Sequence, residues 1–284
     1  MGAKILQNCW QRGVLKNGGR GPHKIFQVPL AAANTLLLLQ QNIAGVYHAQ
    51  NFVGITPQYG QEWVTRFGFD ADKHPAYLTM ALGAGSVTPW QMVAGYSVFA
   101  NGGYRIQPYI VRDIRDANGS ILAESKPVTA GDQSLLVIDP RNAFLMDSML
   151  RDVTIYGTAA RASATLKRRD LAGKTGTTNE HVDAWFCGYQ RTVVGCSWIG
   201  FDQPRNLGNG ETGGSAALPA WIGYMASALK DVPESFMPQP DGLVAMEVEG
   251  TGKGPRKEFF YQENVPVVVE PEPLPQDDDA KPVD

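Results

Sequence analysis

Three runs of strand-forming residues follow closely on one another in the second half of this chain, at Asp170–Thr177, Asp183–Tyr189 and Thr192–Gly200. Parallel neighbours need a crossover of a dozen or more residues, and the links here are too short for one. The three runs are therefore expected to pair as antiparallel neighbours. Ahead of them, Thr88-Pro89 supplies an N-cap and a first helical residue, and Gly102-Gly103 a stop. Between these, Met92, Val93, Tyr96, Phe99 and Ala100 fall on one helical face. Asn118-Gly119, flanked by Ile110–Arg115 and Ser120–Glu124, is a hairpin signal. Asp139-Pro140 opens a second helix whose Phe144, Leu145, Met149 and Val153 are expected to face a core. Ser215–Lys230 reads as a last helix with Trp221, Ile222, Met225 and Leu229 turned inward. The order predicts an α+β fold, a mainly antiparallel sheet with packed helices.

The flanks read differently. Before Pro57 the Gly-rich, basic stretch Arg12–Lys24 gives way to the apolar run Leu30–Leu39 without matching caps or turns, and such local conflict argues against a well-specified structure. The expected organisation is a poorly defined segment at 1–56, a domain at 57–232 and an extension at 233–284. The extension is Pro-punctuated, with a short hairpin near Val244–Val248 and an acidic, Pro-rich tail expected to be disordered. Of the net charge of −3, the tail from Val265 to Asp284 carries −5, leaving +2 on the remainder. With no basic stripe, neither value suits a nucleic-acid partner.

Cys187 and Cys196 are expected on neighbouring strands of one hairpin, and with Cys9 they make an odd count without metal-ligand spacing. Buried free thiols are the expectation for them. His23, His48 and His74 also lack ligand spacing, and neither a metal nor a cofactor is expected. Met1–Arg12 has no apolar signal-peptide core. Val28–Tyr47 is interrupted by Asn34, Gln40, Gln41 and Asn42, which is too polar for a membrane span.

The chemistry concentrates in Leu171–Asn179, around Lys174-Thr175-Gly176. A lysine on an edge strand offers positive charge to a ligand carboxylate, and hydroxyls on the same strand add hydrogen bonds. Glycine removes a side chain where a ligand lies against the backbone. The free edge can pair with an extended peptide, and a backbone N–H can serve an oxyanion. The tripeptide by itself is weak, arising by chance in roughly one chain in twenty of this length. Gly173-Lys174-Thr175 also spells the end of a phosphate-binding loop, but that motif requires glycine at position 168, which is Arg168, and a helix after Thr175.

The surroundings carry more. Asp170–Asn179 runs into Asp183-Ala-Trp-Phe186, Gly188-Tyr189 and Trp198-Ile-Gly-Phe-Asp202. Upstream stand Arg66-Phe-Gly-Phe69, His74-Pro75, Ala81–Pro89, Phe99–Gly103, Asp139-Pro-Arg141 and Gly157-Thr158-Ala159, and downstream Glu211-Thr-Gly-Gly214. In this order they resemble class A penicillin-binding proteins, the bifunctional peptidoglycan synthases, from about Pro57 to Lys230. The resemblance implies part of a serine DD-transpeptidase domain of cell-wall cross-linking, at the periplasmic face of the bacterial inner membrane, binding peptidoglycan stem peptides and β-lactams. In that family a Ser-x-x-Lys serine attacks the penultimate D-Ala carbonyl. Carried over, Lys174 is the carboxylate-side cation, Gly176 the open position, and Thr175 and Thr177 the carboxylate ligands, with the Thr177 N–H as oxyanion donor.

Two further family elements are not in place. The one Ser-x-x-Lys, Ser227-Ala-Leu-Lys230, follows the Lys-Thr-Gly strand, whereas the family's nucleophile precedes it. The nearest candidates for a Ser-x-Asn element, Ala49-Gln50-Asn51 and Ala32-Ala33-Asn34, carry alanine for serine. The family's glycosyltransferase module has no counterpart, and the first 50-odd residues read as a shifted frame or foreign sequence. No catalytic nucleophile is therefore assigned. The expectation is a truncated, inactive transpeptidase; the alternatives are a non-catalytic module for D-Ala-D-Ala peptides, β-lactams or a cell-wall partner, and a product that does not fold. Glu180 and His181, just past the strand, read as an exposed loop pair.

Overall fold

In the computed structural model of the protein the described residues are 4–5, 26–27, 56–250 and 254–265. The expectations for Cys9, His23, His48, both alanine-for-serine candidates and the acidic tail lie outside them. The chain divides into two compact units, Met1–Asp241 and Gly242–Asp284.

The larger unit is built on β6 (Ala172–Thr177), β7 (Asp183–Gln190) and β8 (Val193–Gly200), all antiparallel as expected. The sheet order is β1-β8-β7-β6, where β1 (Lys4–Ile5) runs parallel to β8, and β6 forms the other edge. A two-residue strand β2 (Phe26–Gln27) pairs with β3 (Ser86–Val87). Helix α1 (Pro57–Thr65) is capped by the Thr56 hydroxyl. Helix α2 (Pro89–Ala100) begins with a capping box in which Thr88 and Gln91 satisfy each other's backbone N–H. Hairpin β4 (Asp113–Arg115) and β5 (Ile121–Glu124) turns at Asn118-Gly119, where Asp116 Oδ1 accepts from the N–H groups of Asn118 and Ser120. Helices α3 (Pro140–Ile155), α4 (Ala160–Leu166) and α5 (Leu218–Ala228) complete the unit.

Helices cover both faces of the sheet. On one face, Met92, Tyr96 and Phe99 of α2 and Met146 and Leu150 of α3 pack with Trp185, Cys187 and Tyr189 of β7. On the other, Trp221, Ile222 and Met225 of α5 and Ala162 of α4 pack with Ala184 and Phe186. β7 is therefore buried from Ala184 to Gln190. Close packing of Trp221 over the sheet requires Gly188, since a Cβ there would lie 2.7 Å from the Ala172 carbonyl oxygen and 3.0 Å from the Trp221 ring. Trp221 Nε1 donates to the Gly195 carbonyl, so the buried indole is satisfied.

Several expectations are corrected. Cys187 and Cys196 are joined in a disulfide rather than free. The Gln190↔Val193 turn register sets them directly opposite each other, with Cα atoms 4.1 Å apart. The sequence gives the strands but not their register, and a one-residue slip would have separated the sulfurs. β6 starts at Ala172, because Asp170 is taken into a buried pair with Arg168 (2.8 Å). Helix α3 buries Phe144 as expected but also turns Met146, Asp147, Leu150 and Thr154 fully inward, with Leu145, Met149 and Val153 only partly covered. Its buried polar groups are satisfied: Asp147 accepts from Tyr189 Oη and Arg151 Nε, and Thr154 Oγ1 donates to the Leu171 carbonyl. Helix α4, which has no side-chain cap, was not expected, and a π-helical turn, Gly213–Ala217, precedes α5. The Val244–Val248 hairpin is longer than expected: β9 (Leu243–Gly250) pairs with β10 (Gly254–Tyr261) along its whole length, and Lys257 faces Glu247 across the strands.

Two predictions follow from these contacts. Thiol alkylation under denaturing, non-reducing conditions leaves Cys187 and Cys196 unmodified, and both become modified after reduction; peptide mass mapping reads the result. His74 is fully buried edge-on to Phe69, and neither ring nitrogen has a hydrogen-bond partner. Burial lowers its pKa, partly opposed by Asp70 and Asp72. The unfolded chain takes up the proton near pH 6.5 while the folded state resists it, so His74 costs stability as pH falls below about 6.5 towards the lower folded pKa. Urea midpoints of a His74→Leu variant between pH 7 and 5 should fall less steeply than those of the parent.

Candidate functional site

Strand alternation divides the β6 side chains. Lys174 lies opposite Cys187 on the α2–α3 face, and Thr175 and Thr177 lie opposite Phe186 and Ala184 on the α5 face. The short Cα separation of Cys187 and Cys196 marks a non-hydrogen-bonded pair, so the peptide groups of Cys187 turn towards β6. Lys174 and Gly176 then spend their backbone groups on β7. The N–H and C=O groups of Thr175 and Thr177 point to the edge that no described strand covers.

Lys174 bends to this same edge. Its Nζ donates to the Thr175 carbonyl at 3.0 Å and approaches the Thr175 hydroxyl at 3.5 Å. Burial pushes its pKa below the ordinary lysine value, and among the described residues no carboxylate pairs with it. By contrast, the buried acids Asp147 and Asp170 each have an arginine partner, Arg151 and Arg168. The Lys174 ammonium is thus partly desolvated and, among the described residues, uncompensated by a carboxylate.

Two elements outside β6 complete the edge. The Thr158 hydroxyl, just before α4, lies 2.8 Å from the Thr175 hydroxyl. The π-helical turn sits over the end of the strand, where the Gly213 N–H donates to Thr177 Oγ1 at 3.0 Å. A Cβ at Gly213 would meet the Trp185 carbonyl oxygen and, at 2.6 Å, that of Gly176. Sequence reasoning gave Thr158 and Gly213 no role; Gly157–Ala159 and Glu211–Gly214 were family-like stretches, but only folding brings them to β6. Asp183, at the start of β7, accepts from Trp198 Nε1 at 2.8 Å, and burial raises its pKa.

The link between β6 and β7 is strained. Glu180 (φ 61°) and His181 (φ 52°) are consecutive non-glycine residues in the left-handed region, a cost of about 1 kcal/mol or more each. Ser227, exposed at the end of α5, stands with that helix over the sheet face opposite Lys174. The structure therefore brings Lys174, Thr175, Gly176 and Thr177 together and leaves the Ser-x-x-Lys serine across the sheet. Among the described residues no group of three or more His, Cys, Asp or Glu is arranged to hold a metal, and no helix is long and apolar enough to cross a membrane.

The fold is that of a penicillin-binding transpeptidase domain. The sequence pattern described as the penicillin binding protein transpeptidase domain matches residues 46–203, and the chain belongs to that family. Penicillin-binding protein 1A of Neisseria lactamica is 48% identical over 187 residues, which cover 66% of this chain and 23% of that protein. Penicillin-binding protein 1A of Pseudomonas aeruginosa is 36% identical over 84% of this chain and 37% of that protein. The crystal structure of penicillin-binding protein 1A from Haemophilus influenzae superposes with a TM-score of 0.72 at 32% identity, covering 79% of this chain and 39% of that one. PonA1 of Mycobacterium tuberculosis in complex with penicillin V shares the fold at 19% identity and a TM-score of 0.61, over 79% of this chain and 74% of that one. The chain thus spans about a quarter of the length of the Neisseria relative.

A Gly213→Ala variant forces the turn off the Gly176–Trp185 pair. Overpacking of this kind costs about 1–3 kcal/mol. Chemical denaturation should register the loss, and the Thr177 amide resonance should shift with it.

Proposed function

We propose that this chain is a non-acylating form of a peptidoglycan DD-transpeptidase domain, which binds peptides ending in D-Ala-D-Ala, and β-lactams that mimic them, along the open edge of β6. The observation that carries the reading is the half-buried Lys174 ammonium, without a carboxylate partner among the described residues, beside the outward backbone groups of Thr175 and Thr177. A terminal carboxylate fits against Lys174 Nζ and the Thr175 and Thr158 hydroxyls, and the scissile carbonyl then reaches the Thr177 N–H. Acyl transfer also requires a serine hydroxyl and a base beside that carbonyl. Ser227 lies on the far side of the sheet, so this stretch by itself holds substrate without forming the ester. The Cys187–Cys196 disulfide favours an oxidising compartment, in keeping with the periplasmic face of the inner membrane.

Calorimetry with an acylated D-Ala-D-Ala peptide, beside intact-protein mass after incubation with a reactive penicillin, tests this. Reversible binding without a mass increase is expected, and Lys174→Ala should weaken it by about tenfold or more, as for loss of a charged hydrogen bond. A stoichiometric adduct that disappears in Ser227→Ala would make Ser227 a working nucleophile and overturn the non-acylating assignment. Absence of binding by a folded protein would remove the edge-strand site altogether.

A further inference from the structure

Lys174, Cys187 and Cys196 stand in one row across the sheet, for Lys174 pairs with Cys187 and Cys187 with Cys196. Residues directly opposite each other share a face of the sheet, so the lysine and the disulfide are neighbours on the α2–α3 side. The two sulfurs differ in access. Cys187 is 2% exposed within the core, whereas Cys196 is only partly covered. Neither α2 nor β8 carries a charged residue. From α3 comes Asp147, which Arg151 answers, and Asp183 at the start of β7 accepts from Trp198 Nε1. Burial keeps the Tyr96 and Tyr189 phenols protonated. Lys174 is the cation placed directly opposite Cys187.

An external thiol attacks the disulfide sulfur it can reach, and a nearby cation favours the thiolate that leaves. We infer that Cys196 is a thiol-exchange site for a low-molecular-weight thiol, and that the Cys187 thiolate released there draws Lys174 off the β6 edge and closes the carboxylate site; the closing rests on the site reading above. In the first step the incoming thiolate bonds to Cys196 Sγ, the Cys187–Cys196 bond breaks, and its electron pair leaves on Cys187 Sγ. A second thiolate attacks the reductant's own sulfur in the mixed disulfide and releases Cys196 as a thiolate. Two thiols thus become one disulfide while the bridge takes up two electrons. Opposed residues that exchange backbone hydrogen bonds have Cα atoms about 5.5 Å apart, a span that the lysine stem covers. Beside the neutral bridge, Lys174 Nζ turns to the Thr175 carbonyl at 3.0 Å. Beside a thiolate, an ammonium that burial disfavours gains an anion on the same face.

The test treats the native protein with excess reduced glutathione, quenches with acid and maps peptides by mass. Glutathione should appear on Cys196, with Cys187 a free thiol. In the fully reduced parent the labelled Cβ resonance of Cys187 should take its thiolate position at neutral pH, and its thiol position in Lys174→Met. By calorimetry, an acylated D-Ala-D-Ala peptide should bind the reduced parent about tenfold more weakly than the oxidised one, as for loss of a charged hydrogen bond. The double variant Cys187→Ser, Cys196→Ser, with neither bridge nor thiolate, should bind like the oxidised parent. A bridge that glutathione leaves intact, or an adduct on Cys187, overturns the exchange site. A Cys187 resonance that is the same with and without Lys174 overturns the pairing. Equal binding before and after reduction overturns the closing and leaves the carboxylate site standing, and a double variant as weak as the reduced parent overturns the thiolate's part in it. Absence of binding in both redox states overturns the carboxylate site and the closing together, while the mass map still decides the exchange at Cys196.

Discussion

Because β7 is buried on both faces from Ala184 to Gln190, its register is fixed by two differently shaped cores at once. Sliding it by one residue would exchange Trp185 and Phe186 between the α2–α3 and α5 layers and strand the Gly188 gap away from Trp221. The rest of the site inherits that register. It aligns Cys187 with Cys196 on one side and with Lys174 on the other. It also decides that Thr175 and Thr177, rather than Lys174 and Gly176, offer their peptide groups to the edge that no described strand covers.

The electrostatic character of the site follows from how charge is treated elsewhere in the fold. Asp170 is buried, but Arg168, the Gln190 amide and the Ser235 N–H all serve its carboxylate, and its pKa is lowered by these partners in spite of burial. Arg168 reaches on to the Val232 and Pro233 carbonyls and so fastens the segment after α5 to the sheet. Removing one member of such a pair costs about 3–5 kcal/mol, because the other is left buried and unmatched. Lys174 is already close to that unmatched condition, with a carbonyl and a hydroxyl for company. Among the described residues, Asp147 and Asp170 have arginine partners and the half-buried Lys174 has no carboxylate.

Much of the architecture was legible in the sequence. The caps at Thr88 and Asp139, the Asn118-Gly119 turn and the apolar stripe of α5 are local signals, read within a few residues of the structure they specify. Lys174, Thr175, Gly176 and Thr177 were legible because they are contiguous on one strand. The disulfide was not, since it depends on a cross-strand register that no local pattern states. The inward face of α3 was read only in part: Phe144 is buried as expected, but Asp147 and Thr154 look like surface residues until Tyr189, Arg151 and the Leu171 carbonyl are in place to satisfy them.

The sequence by itself determined the sheet strands β6 to β8 and the helices α2, α3 and α5, and that a lysine, two threonines and a glycine share one strand, because spacing and capping act over a few residues. Only the tertiary structure decided that the Thr158 hydroxyl and the Gly213 N–H meet that strand. It also decided that Ser227 stands across the sheet from Lys174, and that the link at Glu180 is held in strained backbone. These depend on how distant segments pack and on which buried polar groups find partners, and neither is fixed until the two cores close on β7.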